Sequence, residues 1–454
     1  MRVLMYGWEF PPHISGGLGV ACFGMTQALS EQGHEITFVL PRLKAGMSGS
    51  SHVNLLSIDF LSRGRPENIY EFPASLAAAD PTGFLADVET RRVDARPLSP
   101  YMSEAAYLEM LRRIRENQPD VLEDFIDVSP VDATGDYGPN LIEETLRYAK
   151  AAGMIAARVP HDVIHTHDWL TMLAGVEAKK RSGKPLIVHI HATEFDRCGE
   201  NVNQAVYDIE RYGMEKADRV VAVSHYTKSI LVQRYGISPD KITVVHNAVT
   251  RQNSPIKGVY EKNKKEKVVL FLGRITFQKG PDYFVEAAHK VLTNRDNVRF
   301  VMAGSGDMAP RLIERVAELG LGRKFHFTGF LSGEELEKVF LESDLYVMPS
   351  VSEPFGISPL EAMFHDVPVI ISNQSGVSEV LSHALKFDFW DVDDLASKII
   401  AMLDHSPLRE EMLSQGALEL KEIQWSKAAS TLTELYSSLA SGNNFKPTGQ
   451  LSLG

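Results

Sequence analysis

The chain is 454 residues long, with 44% hydrophobic and 23% charged side chains, which suits two or three domains each with its own core. Its two cysteines, Cys22 and Cys198, exclude a disulfide framework and a four-thiolate zinc site. A formal net charge of -12 argues against tracking a nucleic-acid backbone, and no apolar run reaches the ~18–20 residues of a membrane span.

The first apolar stretch, Met1 to Tyr6, meets Gly7 and Trp8 too early for a signal peptide, so the reading is a soluble, cytoplasmic protein. Arg2–Tyr6 reads as a buried strand, Leu18–Gln32 has helical spacing, and Glu35–Leu40 is the next strand. Residues 42–159 break the rhythm as an insertion. It carries a Pro/Ala/Asp-rich loop around Pro73–Pro100 and helices near Tyr101–Glu116 and Leu141–Ala157. It is read either as a structural elaboration or as an acceptor-binding element. Strands at Asp162–Thr166, Leu186–Ile190, Arg219–Val223 and Ile242–His246 follow, separated by helices. Ser254–Lys267, with five lysines, has linker composition.

The pattern then restarts with strands at Val268–Leu272, Val298–Ala303, Phe325–Thr328, Leu345–Met348 and Val367–Ser372. Such alternation predicts two α/β domains with parallel, doubly wound sheets, spanning residues 1–250 and 251–425. A terminal helix at 426–440 is expected to return to the first domain, and 441–454 reads as a flexible tail.

In open parallel sheets, ligands lie beyond the carboxyl ends of the strands, so the loops there are the candidate site. Gly16, Gly17 and Gly19 around Leu18 open the first helix, where backbone N–H groups favour an anion; the alternative is a tight turn. Gly304-Ser305-Gly306 follows a strand, but the next strand ends without an acidic residue for a ribose, so it reads as a close strand-to-helix turn. Arg274 and Lys279 flank the loop after the second domain's first strand and suit a diphosphate, unless they are solvated surface charges.

Ser358, Pro359 and Glu361 spell a helix start with a capping box. Glu353 has no such structural explanation, and a carboxylate beside the N–H groups of Phe355, Gly356 and Ile357 suits sugar hydroxyls. Two His-x-His pairs, His165/His167 and His189/His191, end successive strands. One ring of each pair is read as packing in the sheet and the other as facing the cleft, with metal ligation the weaker alternative. Asp391-Val392-Asp393 reads as a helix start.

Taken together, Gly16-Gly17-Leu18-Gly19, His165–Trp169, His191, Gly273-Arg274 with Lys279, and the Glu353/Glu361 spacing resemble the retaining sugar-nucleotide glycosyltransferases of family 4, with two Rossmann-like domains facing a central cleft (GT-B). That resemblance implies the glycine loop against a donor diphosphate, with Arg274 and Lys279 neutralising it. It further implies Glu353 and the N–H groups of residues 355–357 on the transferred sugar, and Glu361 on the ribose. His191 would lie near the reacting carbon, Asp168 near the acceptor, and the backbone around Phe330 at the base. No metal is implied.

The His-Asp-Trp segment, Gly-Gly-Leu-Gly and the insertion are also similar to bacterial glycogen and starch synthases. Ile14-Ser15 replaces their lysine, however, and Glu361 stands where they usually lack an acid. The resulting expectation is retaining transfer of a hexosyl unit, glucose first, from ADP- or UDP-glucose to a glycan such as an α-1,4-glucan. The alternatives are a cell-surface glycan, lipid or small-molecule acceptor, an epimerase, and a non-catalytic sugar-nucleotide binder.

Overall fold

The structure is a computed structural model, and it describes residues 1–11, 17–42, 52–58, 141–249 and 266–442. Gly16, most of the insertion with its helix near Tyr101–Glu116, the linker from Ser254 to Lys265, and residues 443–454 lie outside the described residues.

Strands β1 (Arg2–Tyr6), β2 (Glu35–Leu40), β3 (Asn54–Ser57), β4 (Val163–His167), β5 (Leu186–Ile190), β6 (Arg219–Ala222) and β7 (Ile242–Val244) form one sheet in the order β3-β2-β1-β4-β5-β6-β7. A second sheet has the order β10-β9-β8-β11-β12-β13. Its strands are β8 (Lys267–Leu272), β9 (Val298–Ala303), β10 (Phe325–Gly329), β11 (Leu345–Met348), β12 (Val369–Ser372) and β13 (Leu385–Phe387). Every ladder is parallel; β1 pairs Met5 with Phe38 on one side and with His165 on the other. Strands buried on both faces are the physical reason the apolar runs were readable as strands. The reading missed β3 and β13, which are short, lie at sheet edges and are only partly buried.

Helix α1 (Gly17–Glu31) follows β1. Helix α2 (Leu141–Ala156) packs on α3 (Trp169–Ser182), and α4 (Glu194–Cys198), α5 (Gln204–Lys216) and α6 (His225–Tyr235) complete the first domain. The second domain carries α7 (Pro281–Asn294), α8 (Ala309–Glu318), α9 (Gly333–Glu342), α10 (Ser358–Phe364), α11 (Val392–Asp404) and α12 (Ser406–Glu422). Asp391 does start α11, its side chain accepting from Asp394 N at 2.9 Å.

The last helix, α13 (Trp425–Ala440), crosses back to the first domain and packs on α1. Leu432, Leu435 and Tyr436 join Val3, Met5, Phe38 and Val163 in one buried cluster. Gly24 makes this close approach feasible: a Cβ there would sit 2.3 Å from the Trp425 indole nitrogen. Gly304 and Gly306 are likewise close-approach positions, since a Cβ on either would fall about 2 Å from the Gly273 or Ile275 carbonyl oxygen. They pack the β9–α8 turn onto the β8 loop, as a strand-to-helix turn should.

Candidate active site

The second domain contributes two loops. After β8, Gly280 takes a left-handed φ of +61°, where a Cβ would strike the Pro349 carbonyl, so this loop lies hard against the one after β11. Gln278 is buried, and its carbonyl accepts from Val351 N at 2.9 Å, tying the two loops together. Lys279 Nζ consequently reaches Glu353 Oε2 at 2.5 Å, with Ser350 Oγ donating to the same oxygen at 3.1 Å. Arg274 is exposed, and among the described residues it is held only by a 3.3 Å bond to Gln278 Oε1.

Glu353 is fixed through its backbone, which bridges to Ser375, donates to Gln374 O and accepts from Gly376 N. The next three N–H groups, those of Phe355, Gly356 and Ile357, find no acceptor among the described residues, although Phe355 and Gly356 are buried. Gly356 has φ +100°, the conformation that turns this backbone.

The capping box expected at Ser358 and Glu361 does not form. The helix begins one residue earlier than expected, with Ile357 at the N-cap and no side-chain cap bond. Pro359 alone pre-sets the first turn. The Glu361 carboxylate therefore stays unbonded among the described residues, and burial pushes it up to about 7. Phe330 follows Gly329 (φ +76°) and presents an exposed ring.

The first domain contributes the ends of β1, β4 and β5. The four histidines do not divide into sheet-packed and cleft-facing members: all four rings lie on one face as a single cluster of stacked and tilted rings. Ring centroids are 4.6 Å apart for His165/His167 and 4.3 Å for His189/His191. Alternation along parallel strands dictates this, because positions two apart share a face and His167 pairs with His189 across the ladder. Only His191 keeps partial exposure. Burial lowers the His165 and His191 pKa values to about 3, so both rings are neutral.

Asp168 is not a free carboxylate in this arrangement. Its Oδ1 accepts from His191 N at 2.6 Å and Ala192 N at 3.2 Å, which fixes the loop that carries His191. It holds φ +59° and ψ 175°, one of two described non-glycine residues with positive φ. Burial pushes its carboxyl up to about 7 against the opposing field of Arg197. Arg197 itself braces the same loop by bonding Ala192 O, Glu194 and Glu210.

At the start of α1, a Cβ on Gly17 would meet nothing among the described residues, and Leu18 is partly buried. Glu9 Oε1 accepts from Gly19 N at 3.1 Å, so a carboxylate already occupies one of the helix-start donors that the sequence reading assigned to phosphate. Gly16 lies outside the described residues.

Contacts across the cleft join the two halves. Ser352 Oγ donates to the buried Asp196 Oδ1 at 2.5 Å and lies 3.0 Å from Tyr226 Oη. Ser224 Oγ donates to Pro354 O at 2.6 Å. Glu379 accepts from His225 N and Tyr226 N at the start of α6 and pairs with His246. Despite burial, those hydrogen bonds hold the Glu379 carboxyl below its ordinary range. Sequence reasoning missed Ser352, Asp196 and Tyr226. The one local signal available was Thr193-x-x-Asp196, which forms the capping box of α4.

Comparison with known proteins covers nearly the whole described chain. The "Starch synthase catalytic domain" profile matches residues 2–123, "Glycosyltransferase Family 4" residues 123–253, and "Glycosyl transferases group 1" residues 252–418. An uncharacterized glycosyltransferase of Methanocaldococcus jannaschii is 26% identical over 456 positions, spanning 96% of this chain and 98% of that protein. Glycogen synthase of Mycobacterium tuberculosis is 24% identical, spanning 96% and 94%. Among solved structures, sucrose-phosphate synthase from Thermosynechococcus elongatus superposes with a TM-score of 0.69 at 17% identity, covering 97% of this chain and 100% of that one.

Proposed function

This chain is a glycosyltransferase of the GT-B fold, and on that premise we propose that it transfers glucose from ADP- or UDP-glucose to a glycan acceptor with retention of anomeric configuration. The observation that carries this is the juxtaposition after β8 and β11: the Lys279–Glu353 pair, three unbonded N–H groups at residues 355–357, and the unbonded Glu361 carboxylate. Donor binding supplies what this site lacks. A phosphate oxygen takes Lys279 and Arg274, sugar hydroxyls take Glu353 and the free N–H groups, and ribose hydroxyls take Glu361. The exposed Phe330 ring is the surface that would stack on the base, and the helix start at Gly17 and Leu18 would border the diphosphate.

In the step itself the bond from C1 to the diphosphate oxygen breaks and a bond from C1 to the acceptor oxygen forms on the same face. The acceptor's proton passes to the departing phosphate oxygen. Arg274 and Lys279 stabilise the charge that develops there, so the diphosphate needs no divalent ion in this proposal. Neutral His191 would contact the sugar near C1. Asp168 Oδ1 fixes the loop that carries His191, and the same side chain would border the acceptor.

An α-glucan acceptor is supported by the glycogen synthase relative and the starch-synthase profile. The likeness to a sucrose-phosphate synthase fold keeps a small-molecule acceptor as the second reading. A nucleotide-sugar donor fits a cytoplasmic reaction. No described helix is long and apolar enough to cross a membrane.

The test is a panel of ADP-, UDP- and GDP-hexoses, with and without glycogen or maltooligosaccharides, read by mass spectrometry. Acceptor-dependent release of one nucleoside diphosphate with a ladder of extended glucans is the expected result. Slow donor hydrolysis with no glucan product would move the acceptor to another class. Donor binding with no release at all would overturn the enzymatic reading.

A further inference from the structure

The histidine cluster contains more than glycosyl transfer uses. Eight ring nitrogens meet beneath the cleft. Five are paired: His165 Nδ1 with Tyr436 Oη at 2.6 Å, His165 Nε2 with His189 Nδ1 at 3.2 Å, and His167 Nδ1 with His191 Nε2 at 3.2 Å. The other three, His167 Nε2, His189 Nε2 and His191 Nδ1, are buried without a partner among the described residues. A neutral imidazole has one N–H and one lone pair. In the His167/His191 pair, one ring nitrogen donates and the other accepts. Whichever way round they are, one outer nitrogen is left as an unused buried lone pair. Buried polar atoms of this kind call for an explanation, an ion among them.

The Cys22 thiol, from α1, supplies the complement. Cys22 Sγ and one ring nitrogen from each of His167 and His191 all lie within 4.8 Å of one another. Ligand atoms around a tetrahedral zinc ion are about 3.3–3.7 Å apart, so closure needs side-chain shifts of about 1 Å. The partial exposure of His191 gives a route in from the cleft.

We propose that Cys22, His167 and His191 form a binding site for one thiophilic divalent ion of the zinc class. A thiolate with two imidazoles is the donor set such ions prefer, and the thiolate offsets half of the ion's charge. The neighbouring group His165/His167/His189 is the weaker alternative, because both nitrogens of His165 are already engaged and His167 can serve only one ion. An ion held by His191 withdraws that ring from the donor sugar and inhibits transfer. This consequence, unlike the binding itself, rests on the function proposed above.

Cobalt(II) titration of the full chain is the test, since a thiolate–cobalt bond gives a near-ultraviolet charge-transfer band. One equivalent should develop that band, zinc should displace it, Cys22→Ala should abolish it, and Cys198→Ala should keep it. A parent protein with no band, or a band that survives in Cys22→Ala, overturns the site. In parallel, zinc should inhibit donor turnover by the parent protein and not by Cys22→Ala. Cobalt binding that leaves the parent's turnover unchanged would uphold the site and remove His191 from the donor pocket.

Discussion

Lys279 and Glu353 are each other's counter-charge, and the Glu353 carboxylate has little access to water. Lys279→Met leaves that carboxylate with only Ser350 and should cost about 1–3 kcal/mol of stability. Adding Glu353→Gln should restore most of the stability in urea unfolding. Activity should stay at least ~100-fold down in both variants, because the leaving group loses its cation. If the double variant stays as unstable as Lys279→Met, the pair is not the coupled unit described. Glu361 gives a prediction in pH. Its folded pKa, about 7, lies above the ordinary 4.5, so the folded protein holds an extra proton between those values. Stability of the free protein should therefore fall as pH rises through that window. Donor affinity should rise over the same window, as the carboxylate becomes the better acceptor for ribose hydroxyls. Glu361→Gln should flatten both profiles; a donor KM that varies with pH in Glu361→Gln as it does in the parent would remove Glu361 from the ribose site.

At the level of elements, Asp168 links the end of β4 to the loop after β5. Its φ of +59° with ψ of 175° is a conformation open essentially to glycine alone, and it costs an L residue about 1–3 kcal/mol. Asp168→Ala keeps the strain and loses both accepted bonds, so it should destabilise by about 2–4 kcal/mol. Asp168→Gly loses the bonds but relieves the strain and should unfold at a higher temperature than Asp168→Ala. Both should raise the donor KM, since the His191 loop is no longer fixed. The opposite order of Tm would place the strain elsewhere. The same scale shows what was legible in the sequence. Most interior strands matched to within two residues, because parallel strands buried on both faces are written as continuous apolar runs. The edge strands Asn54–Ser57 and Leu385–Phe387 have too few apolar positions for that signal. The charged and glycine positions could be placed in the loops after β8 and β11 because loop location and residue type are local. The capping box at Ser358 was misread because its pattern leaves out the competing turn at Gly356. The histidine faces were misread although period-two alternation already put each pair on one side.

Across the whole molecule, the decisive contacts join residues more than a hundred positions apart, and no local pattern announces them. Asp196, Tyr226 and Ser224 belong to the first domain, yet they hold Ser352 and Pro354, the residues on either side of Glu353. The helix α13 joins the same halves from the other side, with Tyr436 bonding His165 and Trp425 seated on Gly24. The geometry of the loop around Glu353 therefore depends on how the domains meet, and on the proposed function closure of the cleft would complete the donor site as well as exclude water. Ser352→Ala combined with Tyr226→Phe removes the bridge to Asp196 and adds no bulk. Asp196 keeps its bonds from Thr193 but loses the donor on its buried Oδ1. The expected outcome is a modestly lowered Tm, a donor KM raised about 5- to 30-fold, in line with losing one or two hydrogen bonds of about 1 kcal/mol each, and a larger radius of gyration by X-ray scattering that contracts when donor is added. A lowered Tm with unaltered scattering would make the bridge a packing contact within a rigid body. An unaltered KM would mean that the Glu353 loop is set by its own domain, through Gln278 and Ser375, and that closure across the cleft contributes nothing to donor binding.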